Sequence, residues 1–262
     1  MEGEEVSMEI ESYAIYKEKD VGAIGMLENA LKKTGFKKAK TAEEADMLIA
    51  IGGDGTFLRA AATFLKSAIL PIRYGTHFGT LLHYDIKTAR AALESVASGE
   101  FSTRKEPLIE AELNGRKHVS AGDFYFQRGR EGSAVRYVAT IKYSKKTVRV
   151  SAVGDGFVVC TPMGSTGYFA YDDRLAGRTP KRIQGFGFAH ILPCSIMQKT
   201  NGKNSKAALK IEMDGDFAVE AVPTRQLDQL LYSSSFKSAG IPVAKGEKMA
   251  FRRSKASATI IE

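Results

Sequence analysis

One short segment of the chain combines glycines with a carboxylate in a way that suits phosphoryl transfer. The segment Gly52-Gly53-Asp54-Gly55-Thr56 follows a short apolar run at residues 47–51. Glycines let phosphate oxygens approach backbone N–H groups closely, and a helix beginning here adds a dipole that favours anions. Asp54 would repel a phosphate, so we interpret it as a base for an attacking hydroxyl or as a ligand of a nucleotide's magnesium. An ordinary strand-to-helix turn is the alternative interpretation.

Two further side chains are candidates for contact with a phosphate. Arg59 follows the glycine segment by about one helical turn, and His77 lies in a later predicted loop. Each could equally be an ordinary surface or core residue. The chain has neither a P-loop pattern nor a Gly-x-Gly-x-x-Gly pattern, so a kinase of this sequence would not be of the P-loop class.

A second segment joins an apolar strand to a loop of small hydroxyl residues and glycines. Gly154-Asp155-Gly156 leads through residues 157–160 into Thr161-Pro162-Met163-Gly164-Ser165-Thr166-Gly167-Tyr168. Such a loop can wrap a nucleotide, because its hydroxyl and N–H groups supply hydrogen-bond donors. A surface loop rich in turn-forming residues is the alternative, which this particular composition disfavours.

The elements that must position these two segments change character once along the chain. Strands and helices alternate first, which predicts a doubly wound parallel sheet. The predicted strands are 12–17, 47–51 and 69–72, and the predicted helices are 21–35, 57–66 and 88–98. Beyond Pro107 the apolar period becomes two, which predicts a mostly antiparallel β domain with turns at Asn114-Gly115 and Asp214-Gly215. We expect the site to lie in the cleft between these two parts.

Composition narrows the functional class. The 262 residues carry a net charge of +8, which favours anionic partners, but no nucleic-acid-binding motif accompanies the scattered basic residues. No apolar run approaches the roughly 20 residues of a membrane span. Two cysteines are too few for a disulfide framework and the N-terminus is acidic. We therefore expect a cytoplasmic protein that binds neither nucleic acid nor membrane.

Together the two segments resemble the NAD kinases. The Gly-Gly-Asp-Gly motif of that family matches Gly52–Gly55, and its Gly-Asp-Gly strand with a Thr-Pro-x-Gly-Ser-Thr-Ala-Tyr loop matches residues 154–168, with Gly167 in place of alanine. The resemblance continues more weakly at residues 77–81 and 106–109. The first motif is shared with lipid kinases and, loosely, with phosphofructokinases, whereas the second is much more specific to NAD kinases.

The resemblance implies a fold and a reaction. An N-terminal α/β domain (1–100) would be followed by a β-sandwich-like domain (101–239), with residues 240–262 returning to the first. Asp54 would activate the 2′-hydroxyl of the adenosine ribose of NAD, and Gly52, Gly53 and Gly55 would contact phosphates. ATP or polyphosphate would be the donor, with Mg²⁺, in a homodimer or homotetramer. The dinucleotide would contact the second domain at Thr166, Gly167, Tyr168 and, at the nicotinamide end, Asp155.

The chain departs from the family pattern around the expected acceptor site. Gly122 replaces an asparagine that would contact the dinucleotide, although Asp123 keeps the neighbouring carboxylate. The stretch from Phe169 through Tyr171 to Arg174 is bulkier and more charged than in the family. The alternatives are therefore a related kinase of a lipid, nucleoside or sugar, and a dinucleotide-binding regulator without catalysis. The full set of expected nucleotide-binding residues also includes Thr56, Arg59, His77, Gly122, Asp123, Thr161, Ser165 and Tyr171.

Overall fold

The computed structural model describes residues 8–17, 24–75, 81–129, 133–225, 228–232 and 240–262. The chain divides into two compact units. The first unit is Met1–Glu106 together with Ala256–Glu262, and the second is Pro107–Lys255. The returning segment is therefore shorter than the predicted 240–262, because the strand Ile241–Val243 pairs within the second unit. No helix in the described part of the chain has the length and apolarity of a membrane-spanning segment.

The first unit alternates strands and helices as predicted. Its strands are β1 Ser12–Lys17, β2 Lys37–Lys38, β3 Met47–Gly52, β4 Ala68–Arg73 and β5 Tyr84–Asp85. Its helices are α1 Ile24–Thr34, α2 Asp54–Thr63 and α3 Ala89–Ala97. The strands pair in parallel in the order β5-β4-β3-β1-β2. Thr259 and Ile260 pair in parallel with the start of β4, on the edge opposite β3.

The central strand β3 explains why this sheet is covered on both faces. Its residues Met47–Ile51 are all buried, as in parallel strands that have helices on both sides. Alternate residues of β3 join a core that includes Leu31 of α1 and Leu93 of α3. Helix α2 packs against the opposite face of β3. The predicted α/β architecture of this part is confirmed.

The helix ends follow local signals in the sequence. Gly35 and Gly99 follow α1 and α3 with φ of +80° and +77°, a conformation that glycine adopts without strain and that ends a helix. The start of α2 differs from the prediction, because the helix begins at Asp54 and not at Phe57. The carbonyl of Gly53 accepts hydrogen bonds from the N–H groups of Thr56 (3.0 Å) and Phe57 (3.2 Å), so the helical turn starts within the glycine segment.

The second unit is built from two antiparallel sheets. Its elements, in chain order, are β6 Thr103–Leu113, β7 Arg116–Ser120, β8 Asp123–Arg128, β9 Val135–Tyr143, β10 Lys146–Gly154, β11 Gly156–Cys160, α4 Tyr171–Leu175, β12 Phe186–Ile191, β13 Ser195–Thr200, β14 Lys203–Ser205, β15 Lys210–Met213, β16 Phe217–Pro223, β17 Asp228–Tyr232, β18 Ile241–Val243 and β19 Met249–Ile261. One sheet runs β14-β13-β10-β9-β16-β19 and the other β15-β12-β11-β8-β17-β18. β6 begins in the first unit, and β19 ends there.

The inner faces of these two sheets share one core. Tyr137 of β9 and Val219 of β16 come from one sheet, and Phe126, Phe157 and Phe188 come from the other. Each strand contributes alternate residues, which is the pattern of a β-sandwich. The predicted β-rich second domain is confirmed.

One predicted hairpin forms and the other does not. Asn114 and Gly115 have φ of +53° and +72°, which is the conformation of a type I′ turn, and they join the paired strands β6 and β7. The prediction at Asp214-Gly215 is wrong. β15 pairs with β12, whereas β16 pairs with β9 and β19, so this turn carries the chain from one sheet to the other. Alternation of apolar residues identifies the buried face of a strand and not its neighbour.

Candidate functional site

The glycine segment of the first unit lies at the junction of β3 and α2. Gly53 is the N-cap residue of α2 in an extended conformation, and Asp54 is the first residue of the helix. The first N–H groups of a helix lack partners within the helix, and they point toward the side from which the chain enters. This junction therefore presents backbone donors and the positive end of a helix dipole, as an anion site requires.

Gly52 is required at its position for steric reasons. A Cβ atom on Gly52 would lie 2.5 Å from Oγ1 and 2.8 Å from Cβ of Thr56. The absence of a side chain at residue 52 therefore makes room for Thr56, whose side chain is buried in the first turn of α2. Gly55 is different, because a Cβ there would meet only Nη2 of Arg59, at 3.9 Å. Gly55 leaves open space beside Asp54.

Asp54 is half-buried at the start of α2. The backbone N–H of Leu81 lies 3.4 Å from Oδ1 of Asp54, so the chain after residue 80 passes beside this carboxylate. Arg59 lies half-buried on α2, close to Gly55. The structure thus brings five of the predicted residues together, namely Gly53, Asp54, Gly55, Thr56 and Arg59. His77 lies outside the described residues.

The predicted nucleotide loop of the second unit is held firmly against the turn before β8. The N–H of Thr161 donates to the carbonyl of Gly122 at 2.9 Å, and its hydroxyl donates to the carbonyl of Ala121 at 2.6 Å. The N–H of Gly164 donates to the Thr161 hydroxyl at 3.1 Å. A Cβ on Gly164 would lie only 2.1 Å from the carbonyl oxygen of Gly122. Gly122 therefore supports this loop through its main chain.

The hydroxyl residues of the loop act mainly within the loop. The Ser165 hydroxyl donates to the carbonyl of Pro162 at 2.8 Å and accepts the N–H of Ile183 at 3.1 Å. Thr161 and Ser165 are fully buried. The loop contains the short 3₁₀ turn Met163–Thr166, and a second turn, Tyr168–Ala170, follows it. These two hydroxyls shape the loop, whereas Gly167 and Tyr168 are the residues it exposes.

The exposed end of the loop forms an aromatic and acidic surface. The rings of Tyr168 and Tyr125 lie with centroids 4.9 Å apart, and Tyr168 remains 45% exposed. Oδ2 of Asp123 would lie 3.6 Å from a Cβ on Gly167, so the carboxylate is directly beneath this glycine. Tyr125 was not predicted as a site residue. Tyr125 lies on β8 two residues after Asp123, so the two side chains share one face of the sheet. This spacing is the sequence signal that could have identified Tyr125.

Burial changes the acid–base behaviour of this surface. Desolvation raises the pKa of Asp123 from 3.8 to about 7, because burial disfavours the charged carboxylate. Burial likewise raises the pKa of Tyr125 to about 12, with the neighbouring Asp123 adding to the shift. Near neutral pH, Asp123 can therefore present either a proton donor or an acceptor to a ligand.

Asp155 lies apart from this loop. It precedes β11, and the loop follows the same strand, so the five residues of β11 separate them by about 20 Å. Nε of Arg128 lies 3.6 Å from Oδ1 of Asp155. Within the second unit, the structure brings together Gly122, Asp123 and residues 161–168, and places Asp155 at the opposite end of the strand. Cys160, on the same strand, is buried.

The segment after Tyr168 forms the short helix α4, whose two aspartates take part in ion pairs. Tyr171 is half-buried at the start of α4, and burial raises the pKa of its hydroxyl. Lys210 of β15 forms ion pairs with both Asp172 and Asp173, at 2.7 Å to Oδ2 of the latter. Sequence spacing gave no signal for Lys210, because its partners lie on a different element far along the chain.

Comparison with known proteins finds similarity to NAD kinases. Residues 3–101 match the family model described as the ATP-NAD kinase N-terminal domain. A Clostridium kluyveri NAD kinase is 33% identical over 129 residues, covering 47% of this chain and 44% of the relative. A Methanothermobacter thermautotrophicus NAD kinase is 24% identical over 210 residues, covering 75% of this chain and 71% of the relative. The chain is therefore similar to NAD kinases, in its first hundred residues to the family model and at lower identity over most of its length.

Solved structures of the NAD kinase family share the fold of this chain. A yeast NADH kinase complexed with NADH has a TM-score of 0.72 at 16% identity, covering 96% of this chain and 83% of the other. An Archaeoglobus fulgidus NAD kinase in complex with ATP has a TM-score of 0.69 at 17% identity, covering 96% and 93%. At these identities the likeness concerns the fold. The C. kluyveri match, by contrast, spans less than half the length of that relative.

Proposed function

We propose that this chain is an NAD kinase, which transfers the γ-phosphoryl group of ATP to the 2′-hydroxyl of the NAD adenosine ribose and so makes NADP. The observation that carries the proposal is the position of Asp54. A carboxylate at the first residue of a helix, directly after a glycine turn and a buried strand, is well placed to act on a hydroxyl beside bound phosphates. Similarity to NAD kinases supports the same reaction.

In this proposal Asp54 is the general base. The 2′-hydroxyl oxygen forms a bond to the γ-phosphorus while the bond from that phosphorus to the ADP oxygen breaks, and ADP leaves. The hydroxyl proton passes to the carboxylate of Asp54. Little covalent chemistry is required of the protein in phosphoryl transfer, so most of the rate arises from positioning and from stabilisation of charge.

The start of α2 would supply that stabilisation for the phosphates. Backbone N–H groups at Gly53 and Gly55 and the dipole of α2 favour negative charge at this point. The open side of Gly55, where a Cβ would meet only Arg59, leaves room for a phosphate to approach the main chain. Arg59 would then lie within one helical turn of the bound anion. Gly52 serves the same segment indirectly, because it accommodates Thr56.

The second unit would hold the acceptor. Tyr168 and Tyr125 expose a pair of rings against which an adenine can stack. Gly167 and the carbonyl of Thr166 lie beside them, and the buried Asp123 can donate or accept a hydrogen bond near neutral pH. Asp155, at the other end of β11, would contact the nicotinamide end. Gly122 contributes main-chain support and no side chain of its own.

The metal would accompany the nucleotide. Magnesium prefers oxygen ligands and commonly binds through substrate phosphates with one or two carboxylates. Asp54 offers such an oxygen at the phosphate-binding turn, and no cluster of three His, Cys, Asp or Glu side chains occurs among the residues that the structure describes. The ion would neutralise charge on the transferred phosphoryl group. Polyphosphate remains an alternative donor.

We further propose a cytoplasmic homodimer or homotetramer. Cys160 and Cys194 are both free, with Cys160 buried and Cys194 exposed. An exposed thiol of this kind is compatible with a reducing compartment. Sedimentation of the purified protein would give the subunit number, and a monomer at all concentrations would contradict the oligomer.

The experiment that tests the reaction uses the purified protein with NAD, ATP and Mg²⁺. An NADP-specific dehydrogenase detects the product, and polyphosphate replaces ATP in a parallel reaction. NADH and adenosine serve as competing acceptors, which also tests the alternative of a different acceptor. We expect NADP to appear with NAD and ATP. A folded protein that makes no NADP with either donor would contradict the proposed function.

A further inference from the structure

The loop that exposes Gly167 and Tyr168 continues directly into α4, where carboxylates and cations lie together. Lys210 of β15 contacts Oδ1 of Asp172 and lies 2.7 Å from Oδ2 of Asp173. Arg178 donates to Oδ1 of Asp173 through Nε at 3.0 Å and Nη2 at 2.8 Å. The N–H of Arg178 also donates to the carbonyl of Asp173 at 2.8 Å. One aspartate thus holds two cations and the end of α4.

Lys210 is the member of this group that is anchored in a sheet. It lies on β15, which pairs with β12, and its side chain is only 20% exposed. Burial lowers the pKa of Lys210, but the hydrogen bonds that it donates to Asp172 and Asp173 outweigh this effect and raise the pKa. Hydrogen bonds from Lys210 and then Arg178 lower the pKa of Asp173. Both partners therefore remain charged across the neutral range.

An apolar contact accompanies the ion pairs. Nζ of Lys210 lies 5.1 Å from the centroid of the Phe169 ring, within the range of a cation–π interaction. Phe169 is buried between the strands and the loop, in a cluster that includes Cys160 and Ile183. A Cβ on Gly187 would lie 2.5 Å from Cε2 of Phe169, so the ring occupies space that only glycine leaves open. Phe169 and Lys210 together fix the start of α4 to the sheet.

Helix α4 also contacts the loop of residues 161–168. The guanidinium of Arg174 donates to the carbonyl of Thr166. A continuous set of contacts therefore runs from Lys210 through Asp172 and Asp173 to α4, and from Arg174 to the residue just before Gly167. The network therefore connects β15, α4 and the loop of residues 161–168.

We propose that Lys210 is a positioning residue for acceptor binding, which holds α4 and thereby fixes the main chain at Thr166–Tyr168 in the conformation that receives the dinucleotide. This inference rests on the proposed function. Lys210 lies on β15 of the second unit, whereas the proposed base lies on α2 of the first. Loss of Lys210 should therefore weaken binding of NAD and leave the chemical step almost unchanged.

The network opens onto a cleft of about 800 Å³, lined in part by Asp172, Asp173, Arg178 and Lys210. Water and salt ions can therefore reach the ion pairs and screen them. We expect the KM for NAD to rise with salt in the wild-type protein more steeply than in a variant that lacks the Lys210 charge. Equal salt dependence of the two proteins would contradict a role for the ion pair.

The decisive variant is Lys210→Met, which keeps most of the side-chain length and removes the charge. We expect the KM and the Kd for NAD to rise about tenfold, with kcat changed by less than about threefold. Lys210→Arg should restore most of the affinity, because it can still pair with both aspartates. Lys206→Met, at an exposed lysine shortly before β15, is the matched control and should behave as wild type.

A second measurement is independent of turnover. Trypsin cleaves after arginine, and Arg174 and Arg178 lie in the segment that Lys210 fixes. We expect faster cleavage at these two residues in Lys210→Met than in Lys206→Met. If Lys210→Met does not fold, Asp172→Asn tests the same ion pair from the other side, with the same expected rise in KM.

The outcomes separate the two proposals. A wild-type protein that neither binds NAD nor makes NADP would contradict the proposed function and the acceptor role of Lys210 with it. An active wild type whose Lys210→Met variant keeps the KM and Kd for NAD would overturn the inference alone. A lower melting temperature with unchanged KM would show that the ion pairs serve only stability, and would overturn it as well.

Discussion

In the first unit, the segment Gly52–Gly55 is shaped by main-chain hydrogen bonds and by the fit of Thr56 against Gly52. In the second unit, the loop 161–168 is held by side-chain hydroxyls, a buried ring and an ion-pair network on α4. The first region matches the Gly-Gly-Asp-Gly pattern at every position, whereas the second departs from the pattern it resembles at Gly167 and in the residues after Tyr168. The first region is thus defined by its own main chain, and the second also by side chains from distant elements.

The largest effect should come from the base itself. Asp54→Asn keeps the size of the side chain and removes its basicity, so kcat should fall about 10³-fold while the Kd for NAD changes by less than about threefold. Asp216→Asn, at an exposed turn of the second unit, is the matched control. Steady-state kinetics with a binding isotherm for NAD would measure both quantities. Turnover close to wild type in Asp54→Asn would rule out Asp54 as the base.

The second prediction compares an alanine substitution of one glycine in each region. Gly164→Ala would place a methyl group 2.1 Å from the carbonyl oxygen of Gly122, so the free energy of unfolding should fall by about 3 kcal/mol. Gly55→Ala meets only the end of Arg59, and alanine favours a helix, so stability should rise by about 0.5–1 kcal/mol. Urea unfolding of both variants measures this contrast. The KM for ATP should nevertheless rise in Gly55→Ala, because the methyl group obstructs the phosphate.

A third prediction concerns the buried carboxyl of Asp123. Its pKa is about 7 in the folded state against 3.8 for an ordinary aspartate, so the folded protein holds a proton that the unfolded chain releases between pH 4 and 7. Stability should therefore fall as the pH rises through this window, by up to about 1.4 kcal/mol per pH unit, and level off above pH 7.

Asp123→Asn should remove this slope, and urea unfolding of both proteins across the window provides the test. His190 is buried and its pKa is lowered by desolvation to about 4, so it acts in the opposite direction. It is present in both proteins and cancels in their difference. Identical slopes for the wild type and Asp123→Asn would contradict the raised pKa.

The smallest effect should come from the exposed ring. Tyr168→Ala removes a stacking surface, so the KM for NAD should rise about tenfold with kcat nearly unchanged. Tyr168→Phe keeps the ring and should remain within about twofold of wild type. Steady-state kinetics distinguish the two variants. Equal losses in both would indicate that the hydroxyl, and not the ring, contacts the acceptor.

The elements of the first unit could be predicted from the sequence because their signals are local. An apolar run marked β3, and Gly35 and Gly99 marked the ends of α1 and α3. The predicted start of α2 at Phe57 was too late, because the glycines were interpreted as a turn before the helix. The carbonyl group of Gly53 already accepts helical hydrogen bonds. The proposal of Asp54 as the base rests on residue types and on the motif it resembles.

The surroundings of the acceptor loop could not be predicted to the same extent. The partners of Asp172 and Asp173 lie on β15, and the hydrogen-bonding partners of β15 lie in a different sheet from those of β16. No local pattern contains such non-local information. The position of Asp155 at the far end of β11 from Tyr168 also became visible only once the strand was placed.

The contact between Phe169 and Gly187 has a consequence for the order of folding. The space that receives the ring lies between Cys160 of β11 and Gly187 of β12, and it exists only after these two strands have paired. The chain between them contains the whole nucleotide loop and α4. We therefore expect the loop to reach its native conformation late in folding, after the β11–β12 pair has formed. Mutations that slow this pairing should delay the appearance of NAD binding during refolding more than they delay the formation of the first unit.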